Sequence, residues 1–150
     1  MTELQAAIGR IQLTRMKEWS RKRQANAKAI DEVASKFNVV RIVCVPDHIE
    51  HAEYKHYLFV RPENLKEGWS RDRIVSGITS LGVPCFQGSC SEVYLEKAFD
   101  NTGWRPDVRL PNAKELGETS LMFLVHPTLT SEEVLKTKRV LAEVLALAQR

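Results

Sequence analysis

Ile30-Asp31-Glu32-Val33-Ala34-Ser35-Lys36-Phe37-Asn38-Val39-Val40-Arg41-Ile42-Val43-Cys44-Val45 is the stretch in which the chain changes its hydrophobic period. Ile30, Val33, Ala34 and Phe37 recur at the three- and four-residue intervals of one helix face. Val39 to Val45 is instead β-branched and nearly continuous, as in a strand, and Pro46-Asp47 ends it. The chain therefore divides near Asn38 into a helical segment, residues 1–36, and an α+β domain, residues 37–150.

Toward the N-terminus the helical reading extends back to Thr2, because the segment has no proline and a single glycine, Gly9. From Thr2 to about Ser35 this is roughly 50 Å of helix at 1.5 Å per residue. Thr2 followed by Gln5 is a capping-box pattern, in which each side chain satisfies the other residue's orphan amide. Leu4, Ile8 and Ile11 fall on one face, whereas Arg10, Arg15, Lys17, Arg21, Lys22, Arg23 and Lys28 are opposed over their span by one acid, Glu18. The spacing predicts a helix that packs at both ends and is wet between. With a net charge of only +3, the basic stretch reads as a solvated or subunit-facing side, and no nucleic-acid partner is expected.

Toward the C-terminus, Tyr54 to Val60 is aromatic and apolar, and Arg61-Pro62 closes it as a second strand. Ser70 is placed to cap a helix carrying Ile74, Val75, Ile78 and Leu81, with Gly82 as its stop. Val83 to Phe86 is short and extended, and Gln87-Gly88-Ser89-Cys90 is a loop by composition. Between Ser91 and Leu116 the pattern is irregular, with loop at Asn101 to Pro106 and helix only from Ala113 to Glu118. Leu121 to Val125 reads as a buried strand. Thr130-Ser131-Glu132-Glu133 starts a last helix, whose apolar side is expected to hold Val134, Leu135, Val140, Leu141, Val144, Leu145 and Leu147. The order αββαβ(α)βα predicts a small, mostly antiparallel sheet covered by helices.

The chemistry-bearing residues point to no site. His48, His51 and His56 lie close together, but their spacing matches no standard zinc set and strand alternation would split them between faces, so no metal is expected. His126, before Pro127, reads as a strand-end residue bonded to backbone rather than a general base. No Gly-rich phosphate loop occurs, and Cys90 has neither a nucleophile elbow nor a nameable base. Cys44, Cys85 and Cys90, odd in number and without C-x-x-C spacing, read as reduced thiols. No apolar run reaches the ~18 residues of a membrane span, and the first residues lack a secretory pattern, so a soluble, cytoplasmic protein is expected.

The stretch Met1-Thr2-Glu3-Leu4-Gln5-Ala6-Ala7-Ile8-Gly9-Arg10-Ile11-Gln12-Leu13 resembles a long motif of the DegT/DnrJ family of sugar aminotransferases. Further similar segments follow in family order: His51-Ala52-Glu53-Tyr54, Ser70-Arg71-Asp72, Leu81-Gly82-Val83-Pro84, Leu110-Pro111-Asn112-Ala113 and Val125-His126-Pro127-Thr128-Leu129-Thr130. The resemblance implies the C-terminal portion of a homodimeric enzyme with the aspartate-aminotransferase fold. Residues 1–36 would then be the helix that links to a large N-terminal domain, and 37–150 the small domain. The pyridoxal phosphate (PLP) site with its Schiff-base lysine would belong to that large domain, so no residue of this chain is assigned a catalytic, cofactor-binding or metal-binding role. The parent reaction would move an amino group from glutamate to a keto-sugar nucleotide, and this chain alone would be inactive and bind no cofactor. The loop after Leu81-Gly82-Val83-Pro84 usually faces the sugar, which marks Gln87, Gly88, Ser89, Cys90, Ser91 and Tyr94 as substrate-binding residues. Here that loop departs from the histidine-containing form of many members, and Leu124 stands where a proline is common. The rival reading is a free-standing binding or regulatory α+β domain that uses its basic helix to contact a partner or nucleic acid.

Overall fold

Helix α1, Glu3–Ala34, starts where the capping box places it: the Gln5 amide donates to Thr2 Oγ1 (3.3 Å) and the Thr2 amide donates to Gln5 Oε1 (2.9 Å). In this computed structural model, which describes residues 1–88 and 90–150, only the last quarter of α1 is buried, at Ala27, Ile30, Val33 and Ala34. At the other end Leu4, Ile8 and Ile11 are 71%, 51% and 55% exposed. The expected packing of that end has no counterpart within these residues.

The sheet contains β1 (Val40–Ile42), β2 (His56–Val60), β3 (Cys85–Gln87) and β4 (Ser120–Phe123), in the order β1-β2-β4-β3 with every pairing antiparallel. Register aligns Val40 with Val60, Leu58 with Leu121, and Cys85 with Phe123. Alternation therefore turns His56, Leu58 and Val60 to the helix-covered side, and the burial of β2 alternates to match. That side meets α1, α2 (Arg71–Ser80) and α4 (Ser131–Ala148), whose Ile74, Ile78, Val140, Leu141, Val144 and Leu145 complete one core with Leu121, Phe123 and Val125. A shorter helix, α3 (Pro111–Thr119), runs directly into β4.

The predicted helix signals hold. Ser70 Oγ accepts from the Arg73 amide (3.2 Å) at the start of α2, and Thr130 and Glu133 form a second capping box at the start of α4. Gly82 follows α2 at φ +74°, a left-handed turn, and a Cβ there would stand 2.8 Å from Lys136 Nζ.

Several expectations change, among them the strand expected over Leu121–Val125, which is Ser120–Phe123. The first strand spans three residues rather than seven, because the chain leaves β2 after Ile42 and turns at Pro46, whose carbonyl accepts from the Ile49 amide (2.9 Å). The second begins at His56 rather than Tyr54, since Glu53 at φ +46° breaks the extended backbone. The helix expected over Ala113–Glu118 starts earlier, at Pro111, where proline's missing donor is harmless. Leu135 and Leu147 are 62% and 56% exposed: Leu135 faces away from the arc of Val140, Leu141, Val144 and Leu145 that meets the core, and Leu147 lies at the edge of that arc, one heptad beyond Val140.

This division of α1 sets the response to truncation. Ile30→Val, in the buried end of α1, should lower stability by about 0.5–1.5 kcal/mol, whereas Leu4→Ala in the same helix should stay within about 0.5 kcal/mol. Urea unfolding measures both, and a larger loss at Leu4 would mean that the N-terminal half of α1 is packed in solution.

Candidate functional site

The six residues expected to face a substrate begin at the end of β3, where a long excursion leaves the sheet and returns through α3. Gln87 Nε2 donates to Asp72 Oδ1 (3.3 Å), which also accepts from Arg71 Nε (2.6 Å). Arg71 Nη1 reaches across to the carbonyls of Gly117 (2.9 Å) and Ser120 (3.1 Å). One largely buried guanidinium thus fastens the start of α2 to the junction of α3 and β4.

Gly88 lies against that junction. Its amide donates to Ser120 Oγ (3.0 Å), and a Cβ on Gly88 would stand 2.3 Å from that oxygen and 2.7 Å from Ser120 Cβ. Only a residue without a side chain makes this approach. Ser89 lies outside the described residues. Cys90 is exposed, with its thiol donating to Glu96 Oε1 (3.3 Å); that hydrogen bond raises its pKa above the ordinary value, so the thiol is no activated nucleophile. Ser91 Oγ sits 2.7 Å from where a Cβ on Gly117 would stand. Tyr94 turns its hydroxyl inward, donating to Glu92 Oε1 (2.7 Å) and accepting from the Leu110 amide (3.0 Å).

Three residues that sequence reasoning missed hold this excursion in shape. Glu92 accepts from Arg109 through Nε (2.8 Å) and Nη2 (2.5 Å), a bidentate pair, as well as from Tyr94. The Arg109 bond, then the Tyr94 bond, brings the Glu92 carboxyl down to about 2. Because this value lies below the ordinary 4.5, the stabilisation is present above the ordinary value and lost as pH falls through about 2. Arg105 donates to the carbonyls of Tyr94 (2.8 Å), Leu95 (2.9 Å) and Glu96 (3.0 Å) and pairs with Asp100 (2.5 Å). No periodicity marks these residues, and only the fold shows which carbonyls and carboxylates the arginines reach. Trp104 and Val108 remain 76% and 78% exposed on the excursion so braced.

The other candidates resolve simply. Among the described residues no group of three metal-ligating side chains comes together. His126 Nδ1 is 2.8 Å from Thr128 Oγ1, a side-chain hydroxyl rather than the expected backbone partner. Cys85 is buried, and burial pushes its thiol up to about 12. The described residues do not fit PLP. None of the lysines is buried. The half-buried Lys55 lines a cleft of about 270 Å³ together with Asp31 and Glu53, where a phosphate would meet two carboxylates.

The contact at Gly88 gives a direct test of how the excursion is seated. Gly88→Ala should destabilise the domain by about 1–3 kcal/mol through overpacking. Adding Ser120→Gly should recover part of that loss. Strict additivity of the two changes, measured by thermal or urea unfolding, would mean that the close approach does not form.

The same chain segment recurs in solved structures. An aminotransferase from Psychrobacter cryohalolentis superimposes with a TM-score of 0.91 at 52% identity, covering 97% of this chain and 39% of that one. DesV of S. venezuelae, solved in complex with a ketimine intermediate, matches at 21% identity with a TM-score of 0.82, covering 97% and 37%. Spr1654 of Streptococcus pneumoniae, named as a sugar aminotransferase and solved in its PMP form, matches at 20% identity with a TM-score of 0.81, covering 97% and 35%. The last two likenesses are of fold. The present chain thus spans well under half the length of these relatives. A search of curated proteins returns no match. The model of the DegT/DnrJ/EryC1/StrS aminotransferase family matches residues 1–144, and the chain belongs to that family.

Proposed function

We propose that this chain is the C-terminal portion of a PLP-dependent aminotransferase that acts on a keto-sugar nucleotide with glutamate as amino donor. The observation that carries the reading is the match to the Psychrobacter aminotransferase, which covers 97% of this chain but 39% of that one. One physical feature supports it. The apolar face of Leu4, Ile8 and Ile11 stands open to solvent, as expected of a helix that another domain or subunit covers. On this reading residues 1–36 link to the missing PLP domain and residues 37–150 are the small domain. The intact enzyme is a cytoplasmic homo-oligomer, and the isolated chain has no transaminase activity.

The contribution of this chain is to shape one wall of the sugar site. The excursion from Gln87 through Tyr94 presents small polar groups and backbone to the sugar, while Arg71, Arg105 and Arg109 keep its course fixed. Tyr94 acts here as a positioning residue, since its hydroxyl holds Glu92 and the Leu110 amide rather than pointing outward.

A chimera tests the reading. Residues 1–150 are put in place of the equivalent segment of the Psychrobacter aminotransferase. The chimera should bind PLP and retain that enzyme's activity, whereas the chain alone should show no aldimine absorbance and no turnover. Turnover by the chain alone would overturn the proposal, as would a folded, PLP-loaded chimera without activity.

Within such a chimera the excursion should act on one half-reaction. Gln87→Ala and Tyr94→Phe should each lower kcat/KM for the keto-sugar by about 0.5–1.5 kcal/mol in transition-state terms while sparing the half-reaction with glutamate. Equal losses in both half-reactions, followed by stopped-flow absorbance, would remove the excursion from the sugar site.

A further inference from the structure

His56 is the one histidine in the buried set, at 4% exposure, and both of its ring nitrogens face carboxylates. Nε2 is 2.8 Å from Asp31 Oδ1 on α1, and Nδ1 is 3.4 Å from Glu53 Oε2 in the loop between β1 and β2. An ionised carboxylate only accepts hydrogen bonds, and a neutral imidazole has one N–H and one lone pair. A neutral ring would therefore set its lone pair against one carboxylate oxygen. The imidazolium, with two N–H groups, satisfies both.

We infer that His56 is a proton-operated latch, an imidazolium that clasps α1 through Asp31 and the β1–β2 loop through Glu53 at once, so that loss of its proton releases the loop from the helix.

The loop is built to depend on that clasp. Glu53 stands at φ +46°, a left-handed conformation unfavourable for a residue with a side chain. It is held there by His56 and by His51 Nδ1, which lies 3.3 Å from the Glu53 amide and 3.0 Å from Glu53 Oε1 and serves one of them at a time, accepting from the amide when unprotonated or donating to the carboxylate when protonated. Either side of Glu53 the loop grips the middle of α1: Gln24 Nε2 donates to the His51 carbonyl (3.2 Å) and Arg23 Nη1 to the Tyr54 carbonyl (3.3 Å). Removing the Glu53–His56 attraction takes away an anchor of the left-handed turn that presents those two carbonyls. The end of α1 is fixed independently, by its buried apolar side chains and by Asn26 Nδ2 at the carbonyls of Val125 (3.4 Å) and His126 (3.3 Å). Opening is therefore local to the loop.

The charged surroundings agree. Burial pulls the pKa of His56 down, but the hydrogen bonds and charges of Asp31 and then Glu53 outweigh it, and the net shift is upward. From α1 the facing charge is Asp31, and from the loop Glu53 with His51 behind it; Lys55 and Tyr57 line the same cleft. β4 presents Phe123 opposite His56. A pKa raised above 6.5 means that the latch is fully closed below that value and opens as pH rises through the folded-state value. On the aminotransferase reading α1 leads toward the rest of the enzyme, so the latch would set how firmly its middle is held; the test below uses this chain alone and does not depend on that reading.

The ring nitrogens of all four histidines are followed by NMR from about pH 6 to about pH 9, with amide exchange of residues 51–55 and of α1 measured in the same samples. His56 should lose its proton at a pH above the ordinary imidazole value of 6.5. Loop opening, corrected for the intrinsic pH dependence of exchange, should rise by up to about tenfold per pH unit as His56 deprotonates and then level off. Glu53→Gln should move both the titration and the opening step to lower pH, and His56→Gln should leave the loop open with no step. Titration of His56 at or below the ordinary imidazole value of 6.5 would overturn the latch. So would loop exchange without a step, a step unmoved by Glu53→Gln, or opening of residues 27–34 together with the loop.

Discussion

The four residues of β4 are buried at every position, and the rest of the domain is arranged to keep them so. Leu121 and Phe123 take the helix-covered side, where α2 and α4 meet them, while β2 and β3 pair along the two edges. A strand paired on both sides has no free ladder groups and needs no solvent. Ser120, at its start, accepts from the Gly88 amide through its hydroxyl and from Arg71 through its carbonyl. The buried strand is thus also the anchor of the excursion proposed as the sugar wall.

Beyond that anchor the excursion is held by a different physics. From Glu92 to Leu110 none of the side chains is buried, and shape comes from guanidinium groups bonded to carbonyls and carboxylates. Charge-assisted, bidentate bonds fix geometry without a core, which suits a segment that must keep a defined surface in contact with solvent or substrate. Trp104 and Val108 stand exposed on this braced segment, and Leu4, Ile8 and Ile11 on α1. On the proposed function, these open apolar surfaces would face the remainder of a larger enzyme.

Local sequence signals determined the helices and their ends. Thr2 with Gln5, Ser70, Gly82, and Thr130 with Glu133 act within a few residues of themselves, so their chemistry is complete in the sequence. The change of period near Asn38 and the alternation in His56 to Val60 likewise placed the helix-to-sheet boundary and the buried face of β2. The family, too, was legible in motifs spread along nearly the whole chain.

What tertiary structure decided were the pairings that join distant residues. Strand ends fell where partners ran out, so β1 stopped at Ile42 although Val43 to Val45 is as β-branched as the residues before it. Leu147, one heptad beyond buried Val140, satisfied the helical pattern yet remained outside, because burial is set by which neighbour arrives and not by period alone. In the sequence Tyr94 is a candidate substrate contact and His56 one of three neighbouring histidines; only the fold places Glu92 and Leu110 at the Tyr94 hydroxyl and Asp31 at the His56 ring. Hydrophobic period and capping are properties of neighbours along the chain, whereas the charge state of His56 and the orientation of Tyr94 are properties of neighbours in space.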